Sequence, residues 1–291
     1  MVQVFRLGYV HFGTQDMTRM LKYYQDVMGL SVVEQNESHA YVSTSIDHHN
    51  IILSKSDESG LIGFGLQLMP HISCAEAAQE LSQSGIEATL KTSAVAGIRE
   101  VVEFVDLDGY VVHLFSAMEV AAPGFQATGI RPNKVGHLSL RVKDAKKSVE
   151  YYKQFGFFNT DWIEDFFGFM TCNRDHHVLN FATSDVKAMH HLALELRDYS
   201  HLVSAMDQLS KNEIPVLWGP SRHGAGHNIA TYHRDPDGNM IELFTDADIF
   251  VPELGIFEPR PWHENFPQRP RVWGTDECIT RWGTSFEQSL V

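Results

Sequence analysis

Two spacings of apolar residues alternate along this chain. Where every second residue is apolar the pattern predicts a half-buried strand, and where apolar residues recur every three or four positions it predicts a helix. In the second half, Val135 to Val142 (VGHLSLRV) alternates like a strand, and Asp144 stands in position to cap a helix that buries Val149, Tyr152 and Phe155. Three strand-like pieces follow, FFNTDWI, GFMTCN and HHVLNFAT. The series then starts again. His191 to Leu196 (HLALEL) alternates, Ser200 is placed to cap a second helix ending near Leu209, and three more strands run to Phe244. Within these, Asp235-Pro236-Asp237-Gly238 has the residues of a type I turn ahead of a strand beginning at Ile241. The first half copies the scheme, with Ser73 and Glu76 spaced as a capping box.

The two halves are related by a nearly constant shift. Gly8-Tyr9-Val10 answers Gly136-His137-Leu138, Asp16 answers Asp144, and Tyr23-Tyr24 answers Tyr151-Tyr152, each 128 positions on. Asp47-His48-His49 and Asp175-His176-His177 keep the same shift, and Asp108-Gly109 matches Asp237-Gly238 at 129. A shift that drifts by one residue over a whole half is the mark of a duplicated domain. The expected fold is therefore α+β, two domains of two βαβββ modules each, with a curved sheet around a site. The expected boundaries are 1–120 and 133–250. Residues 117–134 read as a linker, and the proline-rich residues 251–291 as an irregular tail lying over the body.

Composition narrows the partners. A formal charge of −14 over 291 residues opposes binding to nucleic acid or an anionic membrane surface. No stretch of about 18 apolar residues is present, and no basic segment leads into a long apolar run at the N-terminus. The three cysteines are odd in number and far apart, which suits a reducing compartment better than a disulfide framework. The expected location is the cytoplasm.

Sixteen histidines are the unusual feature, and ten of them lie from His137 onward. On the first strand of the second half, His137 shares the polar face with Ser139 and Arg141. On HLALEL, His191 shares a face with Ala193 and Glu195. Glu242 stands alone among Met240, Ile241, Leu243 and Phe244, a costly neighbourhood for an unpaired carboxylate. Two imidazoles and a carboxylate on three strands of one domain could occupy one face of an iron(II) ion, leaving the opposite positions open.

With these segments the second half resembles the catalytic domain of the type I extradiol ring-cleaving dioxygenases, in the vicinal oxygen chelate superfamily. The matching pieces are Gly136-His137-Leu138, His176-His177, His190-His191-Leu192, the loop GPSRHGAGHN, and TYHRDPDGNMIELF. The likeness covers about residues 1–250. It implies iron(II), or manganese(II) on the same ligands, held by His137, His191 and Glu242, with dioxygen as co-substrate. It further implies cleavage of a monocyclic catechol to a 2-hydroxymuconic semialdehyde-type product, and a homo-oligomer, by resemblance a tetramer. His176 matches the acid–base histidine, with His177 as the other candidate. Tyr232 matches a tyrosine that hydrogen-bonds a substrate oxygen, and His223 a histidine near the substrate oxygens. His190 is expected to be structural, and His227 and His233 carry no implied role.

The first half departs from this pattern. Tyr9, Gly63 and His113 stand where His137, His191 and Glu242 stand in the second, so the first domain is expected to hold no metal. His11 and the His48-His49 pair are then structural. Trp218 takes a place where some relatives carry an arginine for a substrate carboxylate, which points to an uncharged ring substituent. Phe167 is a candidate wall of the pocket. Trp262, His263 and Trp273 could cover the mouth of the site or stabilise subunit contacts. Three rivals remain: an extradiol enzyme for two-ring diols such as 2,3-dihydroxybiphenyl, a non-catalytic ligand-sequestering relative, and a glyoxalase-type isomerase, which uses a different ligand set.

Overall fold

The computed structural model describes residues 2–44, 46–121, 124 and 126–283. Ala122, Pro123 and Phe125 of the expected linker and residues 284–291 of the expected tail lie outside the described residues. The chain divides into two compact units, Met1–Val135 with Tyr151–Gly156, and Gly136–Glu150 with Phe157–Val291. The first unit runs past residue 120 because the linker folds back on it: Glu119 O accepts from the His48 amide at 2.9 Å and Val27 O from the Ile130 amide at 2.9 Å.

In the first unit, β1 (Val4–Thr14), α1 (Met17–Lys22), β2 (Ser31–Gln35), β3 (His39–Ser43) and β4 (Ile51–Lys55) form one module. The next is β5 (Gly60–Leu68), α2 (Cys74–Gln83), β6 (Ala88–Val95), β7 (Ile98–Val105) and β8 (Val111–Phe115). Their strands make one sheet in the order β2-β3-β4-β1-β5-β8-β7-β6, with the modules joined at antiparallel β1 and β5. Asp16 caps α1 through the Arg19 amide, and Ser73 with Glu76 closes a full capping box on α2.

The second unit repeats the plan. It contains β9 (Lys134–Val142) from Gly136 on, α3 (Ala145–Tyr152) as far as Glu150, β10 (Phe158–Ile163), β11 (Phe167–Thr171) and β12 (Leu179–Thr183). Then come β13 (Ala188–Glu195), α4 (Tyr199–Lys211), β14 (Trp218–Arg222), β15 (Ile229–Arg234) and β16 (Met240–Thr245). Asp144 accepts from the Lys147 amide at 3.1 Å, as its position predicts. The cap of α4 is Asp198, not Ser200. The Asp198 backbone is extended and its carboxylate accepts from the His201 amide, which leaves Ser200 inside the first turn.

The tail is more ordered than its prolines predict. β17 (Phe250–Val251) and β18 (Ile256–Phe257) pair with each other, and β19 (Val272–Trp273) joins the main sheet parallel to β10 before α5 (Thr275–Ile279). The sheet order is β14-β15-β16-β13-β9-β12-β11-β10-β19, so the two modules meet where β9 and β13 are neighbours. No helix among the described residues is long and apolar enough to cross a membrane.

A glycine within each unit's first strand is a packing requirement common to both copies. A Cβ on Gly8 would fall 2.4 Å from the Phe115 ring, and one on Gly136 would fall 2.4 Å from the Phe244 ring. Both rings are nearly inaccessible to solvent. Gly8→Ala and Gly136→Ala should each cost about 1–3 kcal/mol, the usual penalty for overpacking. Urea unfolding of the two variants checks this, and an unchanged midpoint would mean the rings yield freely.

Candidate metal centre

The second unit brings three side chains from three strands to one point. His137 comes from β9, His191 from β13 and Glu242 from β16, and all three are almost wholly buried. His137 Nε2 lies 3.0 Å from His191 Nε2. Glu242 Oε2 lies 3.2 Å from His137 Nε2 and 3.1 Å from His191 Nε2. His177 Nε2 is a further 3.3 Å from His137 Nε2. One imidazole nitrogen carries at most one proton, so His137 Nε2 cannot satisfy three such neighbours by hydrogen bonding.

A cation resolves that crowding. Ligand bonds of about 2.1 Å meeting at right angles would put the donor atoms about 3.0 Å apart, close to the triangle observed. Burial lowers His137 to about 4, against the pull of Glu242, so its imidazole is neutral near pH 7. Burial alone would raise Glu242, but the His137 and His191 imidazoles outweigh it and hold the carboxyl well below its usual range. Neutral imidazole and ionised carboxylate are the ligand-competent forms. The donor set fits a divalent first-row ion.

Around this triangle the structure adds residues that the sequence pattern did not single out. Asn228 Nδ2 donates to Glu242 Oε1 at 2.9 Å, leaving Oε2 for the centre. It sits in the glycine-containing loop, and nothing in its spacing marks it. Asn180, on β12, is buried beside the cavity with no hydrogen-bond partner for its Oδ1. Tyr232 pairs with Glu242 across β15 and β16 and donates to Glu242 Oε2 at 2.8 Å. His223 Nδ1 lies 2.8 Å from the carbonyl of Ile279, so that nitrogen carries the proton, and His223 Nε2 lies 3.2 Å from the Tyr232 hydroxyl. The hydroxyl has a single proton, so it serves the carboxylate or the imidazole at one time. Burial, then Glu242, raise the Tyr232 hydroxyl well above its ordinary value.

A cavity of about 280 Å³ opens on the triangle. Ile163, Phe166, Phe167 and Phe169 form one side, and Thr275, Cys278 and Ile279 of the tail form another. Among the described residues no lysine or arginine lines it. Phe167 is where its sequence suggested. His190, expected to be structural, also reaches this wall, with its Nδ1 2.7 Å from His191 Nδ1.

Two expectations need correction. His176 does not face the triangle; His177 does. The pair precedes β12, and consecutive side chains in extended chain point opposite ways. His176 Nε2 meets Asp161 Oδ2 at 3.1 Å, while the His177 ring centroid lies 4.0 Å from that of His137. Burial pushes the His177 imidazole well below its ordinary value. Trp218 also does not line the cavity. Its indole stacks at 5.0 Å and 12° on His223, behind the pocket surface.

The first unit has the same strands without the ligands. Among the described residues no group of metal-binding side chains forms at Tyr9, Gly63 and His113. Instead the Tyr9 hydroxyl lies 2.6 Å from His113 Nδ1, and His113 Nε2 lies 2.9 Å from Glu103. His11 is taken up by Ser54 at 2.6 Å. A second buried group does occur in the second unit: His227, Asp248 and His263. There each imidazole meets a different carboxylate oxygen, at 2.7 and 2.8 Å, and Trp262 Nε1 donates as well. These bonds are complete without an ion and pin the tail segment carrying Trp262 and His263 to the loop after β14.

The sequence matches the family described as Glyoxalase/Bleomycin resistance protein/Dioxygenase superfamily over residues 6–114 and 134–243, one stretch in each unit. It is 26% identical over 297 residues to a 2,2',3-trihydroxybiphenyl dioxygenase of Sphingomonas paucimobilis, covering 94% of this chain and 97% of that protein. It is 22% identical over 267 residues to a metapyrocatechase of Pseudomonas sp. (strain CF600), covering 84% and 87%. In fold it is similar to the Mn(II)-bound glyoxalase from Novosphingobium aromaticivorans, with a TM-score of 0.85 at 22% identity over 100% of this chain and 95% of that one. Duplicated βαβββ units and a sequence match in both of them carry one conclusion: the chain belongs to the Glyoxalase/Bleomycin resistance protein/Dioxygenase superfamily, where the curated relatives it matches are extradiol dioxygenases.

Proposed function

We propose that the second unit binds iron(II) through His137, His191 and Glu242 and cleaves a single-ring vicinal diol beside its two hydroxyls, with dioxygen as co-substrate. The observation that carries this is the closed triangle of two Nε2 atoms and one carboxylate oxygen, at 3.0–3.2 Å, at the base of an apolar cavity. Manganese(II) suits the same donors. A ligand-sequestering protein would not need so complete a donor set.

Bound there, the ion supplies Lewis acidity toward a diol oxygen and open positions for diol and dioxygen. The protein's own part is positional and acid–base. Asn228 and Tyr232 orient the carboxylate ligand. Once the Glu242 oxygen is engaged, the Tyr232 hydroxyl is free to donate to a diol oxygen. His177, not His176, stands where it can take a proton from a ring hydroxyl and later return one. The tautomer of His223, set by the Ile279 carbonyl, presents an Nε2 lone pair beside Tyr232.

The cavity bears on substrate. At about 280 Å³ it lies at or below the lower end of ligand pockets, which run about 300–1,000 Å³. That size favours one ring with a small substituent, and the lack of a lining cation favours an uncharged one. The expectation drawn from Trp218 thus stands on different residues. The line of Phe166, Phe167 and Phe169 favours the second reading, a two-ring diol whose outer ring stacks along it.

Three outcomes test this. Glu242→Ala should lose bound iron while His113→Ala keeps it, measured as metal per chain after anaerobic loading; the reverse would put the centre in the first unit. Turnover of 3- and 4-alkylcatechols, to yellow ring-opened products, should exceed that of carboxylated catechols and of 2,3-dihydroxybiphenyl. No product from any diol would refute the enzyme assignment, and a preference for dihydroxybiphenyl would select the two-ring reading. His177→Phe should retain metal and lower kcat by about 10²–10⁴-fold, the usual worth of general acid–base help.

A further inference from the structure

His176 does not line the cavity that opens on the triangle, yet it is wholly buried and held on several sides. Its ring lies 5.1 Å from that of Phe257 at 27° and meets Phe169 edge-on at 5.7 Å. Gly226 presses on it closely: a Cβ there would fall 2.9 Å from His176 Nδ1. Its Nε2 meets Asp161, a buried residue that also accepts from the Arg271 amide at 2.7 Å and from Trp273 Nε1 at 2.8 Å. On the other side, His176 Nδ1 lies 2.8 Å from His177 Nδ1.

Valence settles the direction of this chain of contacts. A carboxylate only accepts, so the proton between Asp161 and His176 belongs to His176 Nε2. In a neutral ring the Nδ1 of His176 is then a lone pair, and the proton of the 2.8 Å contact must come from His177 Nδ1. A neutral His177 with its proton on Nδ1 has none on Nε2, the atom 3.3 Å from His137 Nε2. We propose that His176, anchored by Asp161, is a positioning residue that sets the tautomer of His177 and leaves its Nε2 lone pair facing the metal triangle. The inference rests on the proposed function only for its consequence: a base presented in the correct form for a ring hydroxyl.

The first unit provides an internal contrast. His48 and His49 repeat the pair with Nδ1 atoms 3.0 Å apart and rings at 88°, against 2.8 Å and 88° in the second unit. The pairing thus recurs at the equivalent place in both units. What differs is the anchor. His48 meets only a half-exposed Glu34 at 3.4 Å, where His176 meets a buried Asp161 held by two further donors. Both of those donors come from the tail, from Arg271 and from Trp273 on β19. The tail therefore reaches the triangle through Asp161, His176 and His177 as well as through the cavity wall.

The test is ¹⁵N NMR of the histidine rings in the full-length chain, with and without zinc(II) as a diamagnetic filler, beside steady-state kinetics of the iron-loaded protein. Wild type should show His177 protonated at Nδ1 and bare at Nε2. His176→Phe, which offers no acceptor, should mix the two tautomers, lower kcat by about 10- to 100-fold and leave KM within about two-fold, a part of the about 10²–10⁴-fold available to general acid–base help. His176→Asn, whose Oδ1 can replace the Nδ1 acceptor, should restore both the tautomer and most of kcat. A wild-type His177 protonated at Nε2, or one unchanged by His176→Phe, would overturn the proposal. So would an equal kcat loss in His176→Asn with the tautomer retained. Should wild type cleave no diol at all, the function proposed above falls, while the ring spectra still decide the tautomer.

Discussion

Everything in the second unit turns on one buried carboxylate. Removing a carboxylate from water costs several kcal/mol even after relaxation, and an attraction to its neighbours repays this only with good geometry and filled lone pairs. Glu242 meets those terms. Asn228 holds one oxygen, and Tyr232, His137 and His191 surround the other. Each partner sits on a strand or a loop tied to a strand, so the sheet's register and the carboxylate's environment are one constraint. Parallel pairing of β13 with β16 sets Ala193 beside Glu242, and antiparallel pairing of β15 with β16 sets Tyr232 there. A slip of one residue would turn Glu242 to the opposite face of the sheet.

Duplication shows what that arrangement replaced. The first unit keeps the strands, the glycine under an aromatic ring and the histidine pair, but its centre is filled differently. The Tyr9 ring occupies the space that Gly65 leaves open, since a Cβ there would fall 2.2 Å from it. Burial holds the Tyr9 hydroxyl far above its ordinary range, and it is satisfied by His113, which is satisfied in turn by Glu103. A hydrogen-bonded chain that ends on the Glu103 carboxylate thus stands where the second unit gathers lone pairs. The same strand plan supports a packed core in one copy and a cluster of two imidazoles and a carboxylate in the other, and the choice rests on a few side chains.

The described part of the tail helps to build the candidate site. Asp248 ties His263 and Trp262 to the loop bearing His227, next to the Asn228 that holds Glu242. Ile279 fixes a proton on His223, and Thr275, Cys278 and Ile279 complete the cavity wall. Of the three tail residues that the sequence suggested for the mouth, Trp273 is instead buried behind Asp161.

Much of this was written in local pattern. Alternation marked the strands, a shift of 128 marked the duplication, and a lone glutamate in an apolar strand marked a candidate ligand, because burying such a group demands a partner. Those signals are local in sequence, or regular across it, and they determined the fold class and picked out the three side chains that meet as His137, His191 and Glu242. Contacts between distant segments were not legible. Asp161 and His176 are brought together by β10 and the loop before β12, and only that meeting shows which histidine of the pair faces inward. Asn228 and Asn180 carry no spacing that sets them apart, and Trp218 looked like a pocket residue until its stacking on His223 was seen. The α4 cap moved from Ser200 to Asp198 for a related reason: both can cap, and the backbone's extended turn at Asp198 decides between them. Sequence determined which chemistry was available; the direction in which each side chain points, set by packing across the sheet, decided which residues perform it.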